Sequence, residues 1–184
     1  MSDLRPQHMK LQLGEERHEL LFTLAAIDEV QSSLNIPIFD AIREIFAVAE
    51  GKVTEHGIEV LAGVLAALLR VNGDPDASAL DVVHMIKPEM ITILATNVAV
   101  LFSECAPDTE DEFEDDDDDD EDEERSTAVN VARLLYTCTT VLHLQEADAW
   151  EMTLRKIYLL LDEHLIANGK KKEADIDGVE MFAG

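Results

Sequence analysis

The side chains able to do chemistry are scattered along this chain. Six histidines are spread over its length. None stands beside a Cys or Ser in the nucleophile pattern, which needs a base within hydrogen-bond reach of the attacking group. His143 and His164 fall on predicted helices and read as surface residues. Cys105 and Cys138 lie far apart, with no metal spacing and no disulfide framework, so they read as reduced cytosolic thiols. Asp175-Ile176-Asp177-Gly178 has the outline of a calcium loop, but it lacks the full spacing and the closing Glu of an oxygen cage. HExxH, GxSxG, P-loop and GxGxxG signatures are missing. No catalytic residue, cofactor site or metal site is assigned, and the chain is not expected to be an enzyme.

Binding offers more. Trp150 is the only tryptophan. It precedes Thr153, a good N-cap, so it can fold back on Ile157 or Tyr158 as a hydrophobic staple. As an exposed aromatic it would instead anchor a partner. Trp150, Leu154, Ile157, Tyr158 and Leu161 are the candidate partner-binding residues. The triple lysine 170–172 suits the negative end of the preceding helix.

Residues 108–124 bound the rest of the reading. Fifteen of these seventeen positions are Asp or Glu, interrupted only by Thr109 and Phe113. Neighbouring carboxylates repel and almost nothing apolar is available to bury, so an extended, solvated linker is expected. The run supplies much of a net charge of −26. Such a charge repels phosphates and anionic headgroups, which excludes nucleic acid and membrane surfaces as partners. The run reads as a solubilising spacer, a decoy for a basic surface, or a mimic of nucleic-acid charge.

The remaining chain is 47% apolar over the whole sequence and only 5% aromatic, which points to aliphatic, mostly helical packing. The start, MSDLRPQHMK, has no apolar core and is not a signal peptide. The longest apolar stretch, Ile58 to Val71, contains Glu59 and is too short to span a bilayer. A soluble, cytoplasmic protein is expected.

The elements follow from periodicity. Alternation around Lys10-Leu11-Gln12-Leu13 and Arg17-His18-Glu19-Leu20, with Gly14-Glu15-Glu16 able to turn the chain, predicts a hairpin with strands near 9–13 and 17–22. Thr23 caps a helix through Leu24, Ile27, Val30, Gln31 and Leu34, and Asn35-Ile36-Pro37 ends it. Ile38, Ile42, Ile45, Phe46 and Ala49 form one face of a second helix that runs up to Gly51. Thr54 caps a third helix that ends at Asn72-Gly73. Ser78 starts a short helix to Met85 or Ile86. Pro88 opens another through Leu94, Val98, Leu101 and Phe102, apolar on more than one face and so expected at the centre of the bundle. Beyond the acidic run, Ser126 or Thr127 caps a helix through Val131, Leu135, Cys138 and Leu142. A last helix runs from Thr153 to Asn168-Gly169.

The expected fold is thus mainly α: a helical bundle with a small N-terminal β-hairpin, a disordered acidic linker and a C-terminal helical pair. The parts are a flexible leader 1–8, the hairpin and helical domain 9–106, the linker 107–125, the pair 126–168 and a flexible tail 169–184. The broad apolar band of the helix at 126–144 favours return of the pair to the first domain over a separate docking module.

The hairpin with its exit Leu20, Phe22, Thr23, Leu24, followed by Asp28, Glu29 and Gln31, resembles the tail assembly chaperones of long-tailed bacteriophages and related gene-transfer-agent proteins. The segment Trp150-Glu151-Met152-Thr153-Leu154, with Tyr158, Leu161 and Leu165, is similar to a segment of downstream tail-assembly proteins, although Lys156 stands where that pattern has Glu. The resemblance covers about half of the chain. It implies a non-enzymatic chaperone that coats the tape measure protein, recruits tail tube protein, self-associates in some cases and leaves before the virion is complete. It further implies a frameshifted longer product, for which Gly169-Lys170-Lys171-Lys172 is the candidate slip site. The alternative function is an acidic adaptor or inhibitor that blocks a basic nucleic-acid-binding partner.

Overall fold

Local capping explains most of the element boundaries. The computed structural model describes residues 8–13, 16–107 and 128–169. The Gly14-Glu15 turn, the leader up to residue 7, the acidic run, the Ser126 and Thr127 caps, the lysines 170–172 and the fragment at 175–178 lie outside the described residues.

Strands β1 (Met9–Leu13) and β2 (Glu16–Leu20) pair antiparallel, Met9 opposite Leu20 and Leu13 opposite Glu16. Alternation puts Leu11, Leu13 and Leu20 into the core, while Lys10 and Glu19 pair at 3.1 Å on the other face. Two strands alone are marginal, so this face must be covered by helices.

Helix α1 (Leu24–Leu34) starts where the Thr23 hydroxyl accepts the Ala26 N–H at 3.2 Å, and it stops at Asn35 in the left-handed region, φ 52°. Helix α2 (Ile38–Ala49) ends in a Schellman motif: Gly51, at φ +89°, donates to the Val48 carbonyl and Lys52 to that of Ala47. Helix α3 (Glu55–Val71) is capped by Thr54, whose hydroxyl accepts from Gly57 at 3.0 Å. Ser78 caps α4 (Ala79–Met85) by accepting the Asp81 N–H. A 3-10 turn, Pro88–Met90, leads into α5 (Ile91–Cys105).

Helix α3, not α5, is the centre of the bundle. From Val60 to Leu69 every residue of α3 is buried, and the helix packs against α1, α2 and α4. Its small residues let the neighbours close in. A Cβ on Gly57 would meet the Val48 methyl at 2.6 Å, and one on Gly63 would collide with Leu34. Helix α5 is more apolar overall, yet Ile93 and Val100 are exposed at 51% and 47%. Periodicity measures how apolar a helix is, but the number of neighbours that cover it depends on how the other helices pack.

The C-terminal segment returns to the first one. It comprises α6 (Val131–Tyr136), a π-helical turn (Thr137–Val141), the short α7 (Glu146–Trp150) and α8 (Leu154–Ala167). The expected pair is therefore three helices. The first begins at Val131, capped by Asn130, rather than after Ser126 or Thr127. Helices α6 and α7 lie on α1, and α8 lies on α5. The Leu24 N–H donates to the Met152 carbonyl at 2.7 Å. Gln31 reaches Val129, and Arg155 reaches the end of α5. Val131, Cys138, Ala149, Met152, Leu154 and Ile157 join the same hydrophobic core as the hairpin.

Candidate functional site

Helix α2 carries more apolar surface than its packing uses. Its core stripe is Ile38, Ala41, Ile42, Ile45 and Val48, all buried at helical spacing. Phe39 and Phe46 form a second stripe, 39% and 44% exposed. Seven residues apart, they stand two turns from each other along the axis, about 10 Å. Spacing groups Phe46 with Ile42 and Ile45 on one apolar face, and in the structure those two are buried while Phe46 stays exposed. Ile45 and Val48 already fill the contact with the neighbouring helices.

Between the two rings lies a groove of about 530 Å³, lined mostly by the apolar Phe39, Ile42, Phe46, Phe102, Ala106 and Pro107, with Arg43 and Ser103 as its polar members. Phe102 ties it to the core. Its ring stands edge-on to Phe39 at 5.9 Å between centroids, and edge-on to the fully buried Phe22 at 5.3 Å. The groove floor is thus held by the interior. At the end of α5, Arg155 donates from Nε to the Ala106 carbonyl at 3.0 Å and so satisfies an otherwise open helix terminus. The polypeptide passes from the groove residue Pro107 straight into Asp108, the first acid of the run.

The segment around Trp150 is disposed differently from expectation. Leu154 and Ile157 are buried at 3% and 0%, in the core against which α8 packs, and a partner cannot reach them while α8 stays docked. Trp150, Tyr158 and Leu161 are half-buried. The Trp150 indole lies 3.4 Å from a Glu146 carboxylate oxygen. Thr153 caps α8 by accepting from Lys156, which makes buried Met152 the residue at the staple position preceding the cap. Trp150 lines a cleft of about 710 Å³ with Leu21, Val71, Leu144, Met152 and Lys156. The five candidate residues therefore do not form one surface.

The cysteines are free and buried. Burial pushes the Cys105 thiol up to about 11, the Phe22 backbone N–H pulls it back in part, and Glu104 raises it further against Arg155. Burial likewise raises Cys138. Neither has the stabilised thiolate that nucleophilic chemistry uses. Among the described residues no three His, Cys, Asp or Glu side chains gather so as to hold a metal ion. Among them, too, no single helix is long and apolar enough to cross a membrane.

Comparison with known proteins gives no further identification: no family model matches the sequence, and no curated protein or solved structure matches it.

The groove aromatics were visible in the sequence only as apolar residues. The signal that separates them is numerical. Helix α2 has one more stripe, Phe39 and Phe46, than a single buried face requires.

Proposed function

We propose that this chain is a non-enzymatic assembly chaperone that shields apolar helices of a client protein. In the setting implied by the hairpin and Trp150 motifs, the client is the tape measure protein or the tail tube protein of a phage, bound in the host cytoplasm. The observation that carries this reading is the aromatic groove between α2 and α5, whose rings are held open to solvent by a floor fixed in the core. Solvated aromatics cost free energy that burial under a partner recovers at about 25 cal/mol per Å². The acidic run keeps an otherwise sticky complex soluble by like-charge repulsion between copies.

The test is a pull-down from source cells at low and high salt, using the full chain and a version lacking 108–124. Recovery at high salt of a long helical client, with or without the run, supports the chaperone reading, because apolar contact survives screening. Recovery of a basic nucleic-acid-binding protein, lost with salt or with the run, overturns it in favour of a charge decoy.

A further inference from the structure

Between the hairpin, the end of α3 and α4 lies another cleft, of about 480 Å³, which shares no lining residue with the aromatic groove. Its walls are set locally. The register pairs Leu13 with Glu16 and Leu11 with His18, so Glu16 and His18 stand on the hairpin's inner face beside the two leucines. The loop after α3 is tied down by its backbone. The Asp74 N–H donates to the Leu69 carbonyl at 2.9 Å, and the Asp74 carbonyl accepts the Ala77 N–H at 3.2 Å. Asp74 and Asp76 thereby border the cleft, and α4 closes its remaining side with Asp81, Val82 and Met85.

The floor is apolar and the rim is acidic. Leu13, Leu69 and Val82 are buried, and Met85, 47% exposed, extends the apolar lining outward. Glu16, Asp74, Asp76 and Asp81 are exposed carboxylates. No lysine or arginine is among the described lining residues. Asp74 and Asp76 form no ion pair among the described residues, and Glu16 meets only the edge of His18, at 3.9 Å. Arg70, which reaches the Ala77 carbonyl at 2.9 Å, has its charge held by Glu29 at 2.7 Å.

Charge by itself selects no place on a chain this acidic. An apolar cleft bordered by unpaired carboxylates does select an occupant. A metal ion does not suit it, because among the described residues no three such groups gather closely enough to hold one. A second copy, at a net charge of −26, and an anionic lipid surface both meet like charge. A lysine or arginine side chain suits both parts of the lining. Its methylene stem lies along the apolar floor while its head reaches the carboxylates.

We propose that this cleft takes a lysine or arginine side chain of a partner polypeptide, with an apolar neighbour of that residue against Met85. The partner's identity rests on the reading of the chain as a client-binding chaperone. The cleft then adds a second contact, away from the aromatic groove, that favours basic client segments over neutral ones.

The experiment titrates the full chain with labelled 12-residue peptides at low and high salt. One alternates Leu and Lys, one has Gln for every Lys, and one has Ser for every Leu. The protein variants are Asp74→Asn with Asp76→Asn, Met85→Ser, and a chain ending at Gly169. Glu55→Gln with Glu59→Gln is the control of equal charge, about 15–20 Å from Leu69 along α3. All the substituted side chains are exposed, so the core is kept, and helix content by circular dichroism verifies it. The Leu/Lys peptide is expected to bind best. At low salt the aspartate pair should weaken it by about tenfold and the control by less than about twofold. Met85→Ser should weaken it at both salts, because apolar contact is not screened.

The proposal is overturned if the aspartate pair weakens binding no more than the control, since overall charge then explains the attraction. It is overturned if Met85→Ser changes nothing, or if spermidine displaces the labelled peptide at lower concentration than unlabelled peptide does, since a small polyamine then fills the cleft. Tighter peptide binding by the chain ending at Gly169 also overturns it, since the chain's own lysines at 170–172 then compete for the place. A client recovered in the pull-down equally well with the aspartate pair changed leaves the chaperone reading standing and removes only this site. Peptide selectivity that holds while no helical client is recovered removes the chaperone reading and leaves the site.

Discussion

Gln31 and Val129, ninety-eight positions apart, pair as two backbone units do in a β ladder. The Gln31 amide donates from Nε2 to the Val129 carbonyl at 3.0 Å, and its Oε1 accepts the Val129 N–H at 2.8 Å. The same Oε1 also accepts the Ile38 N–H at 3.3 Å, at the entry to α2. One side chain thus ties α1, the start of α2 and the beginning of the C-terminal segment. Gln31→Leu keeps the volume but strands two N–H groups and a carbonyl. Each lost hydrogen bond at a partly buried site costs about 1 kcal/mol. A loss of about 2–3 kcal/mol in urea unfolding is expected, with the lone Trp150 reporting release of the C-terminal segment. An unchanged midpoint would show that water replaces all three bonds.

The two glycines of α3 should respond differently to alanine. In a helix, Gly→Ala gains about 1 kcal/mol in propensity. At Gly63 the obstacle is the tip of half-buried Leu34, which can turn aside. At Gly57 it is a methyl of Val48, fully buried and stiff at its branched Cβ. Gly57→Ala is therefore expected to destabilise by about 1–3 kcal/mol, and Gly63→Ala to lie near neutral. Thermal denaturation of the two variants side by side checks the order, and a Gly63→Ala loss as large as that at Gly57 would refute it.

Arg155 links α8 to the open end of α5, donating to the Ala106 carbonyl at 3.0 Å and more weakly to that of Ser103 at 3.5 Å. A cation at a helix C-terminus contributes about 0.3–1 kcal/mol through the dipole, besides its hydrogen bonds. Arg155→Met should lower the melting temperature by about 2–5 °C. Arg155→Lys should recover little, because one ammonium cannot reproduce the planar guanidinium fork. Full recovery with Lys would mean that only the charge matters.

The Cys105 thiol sets an alkaline limit on stability. Unfolded, it ionises near 9.0, and folded near 11, because burial disfavours the thiolate. Below the lower value both states hold the proton and the folded state keeps its full advantage. Between the two values the unfolded chain loses its proton first, so stability falls as pH rises through this window, by about 3 kcal/mol in all. Cys105→Ala should flatten the fall in unfolding free energy between pH 9 and 11 relative to the parent chain. A parallel profile would assign the fall to other groups. In the folded protein Cys105 should also alkylate far more slowly than a free thiol at pH 8.

What the sequence determined by itself is what depends on near neighbours. The caps at Thr23, Thr54, Ser78 and Thr153, the stops at Asn35, Gly51 and Gly73, and the alternation of the hairpin each rest on groups within a few residues, so type and spacing suffice to read them. The mainly helical class followed from these. Partnership over distance was not legible. Nothing near Gln31 announces Val129, nothing near Leu24 announces Met152, and apolar spacing could not say that α3 rather than α5 would be enclosed. The same holds for the surfaces. Leu154 and Ile157 sank into the core because α8 docks on α5, while Phe39 and Phe46 stayed outside because α2 had a sufficient face without them. The apolar pattern says that a side chain would gain by burial, but whether a neighbour, a client or only water meets it is decided by how the helices assemble.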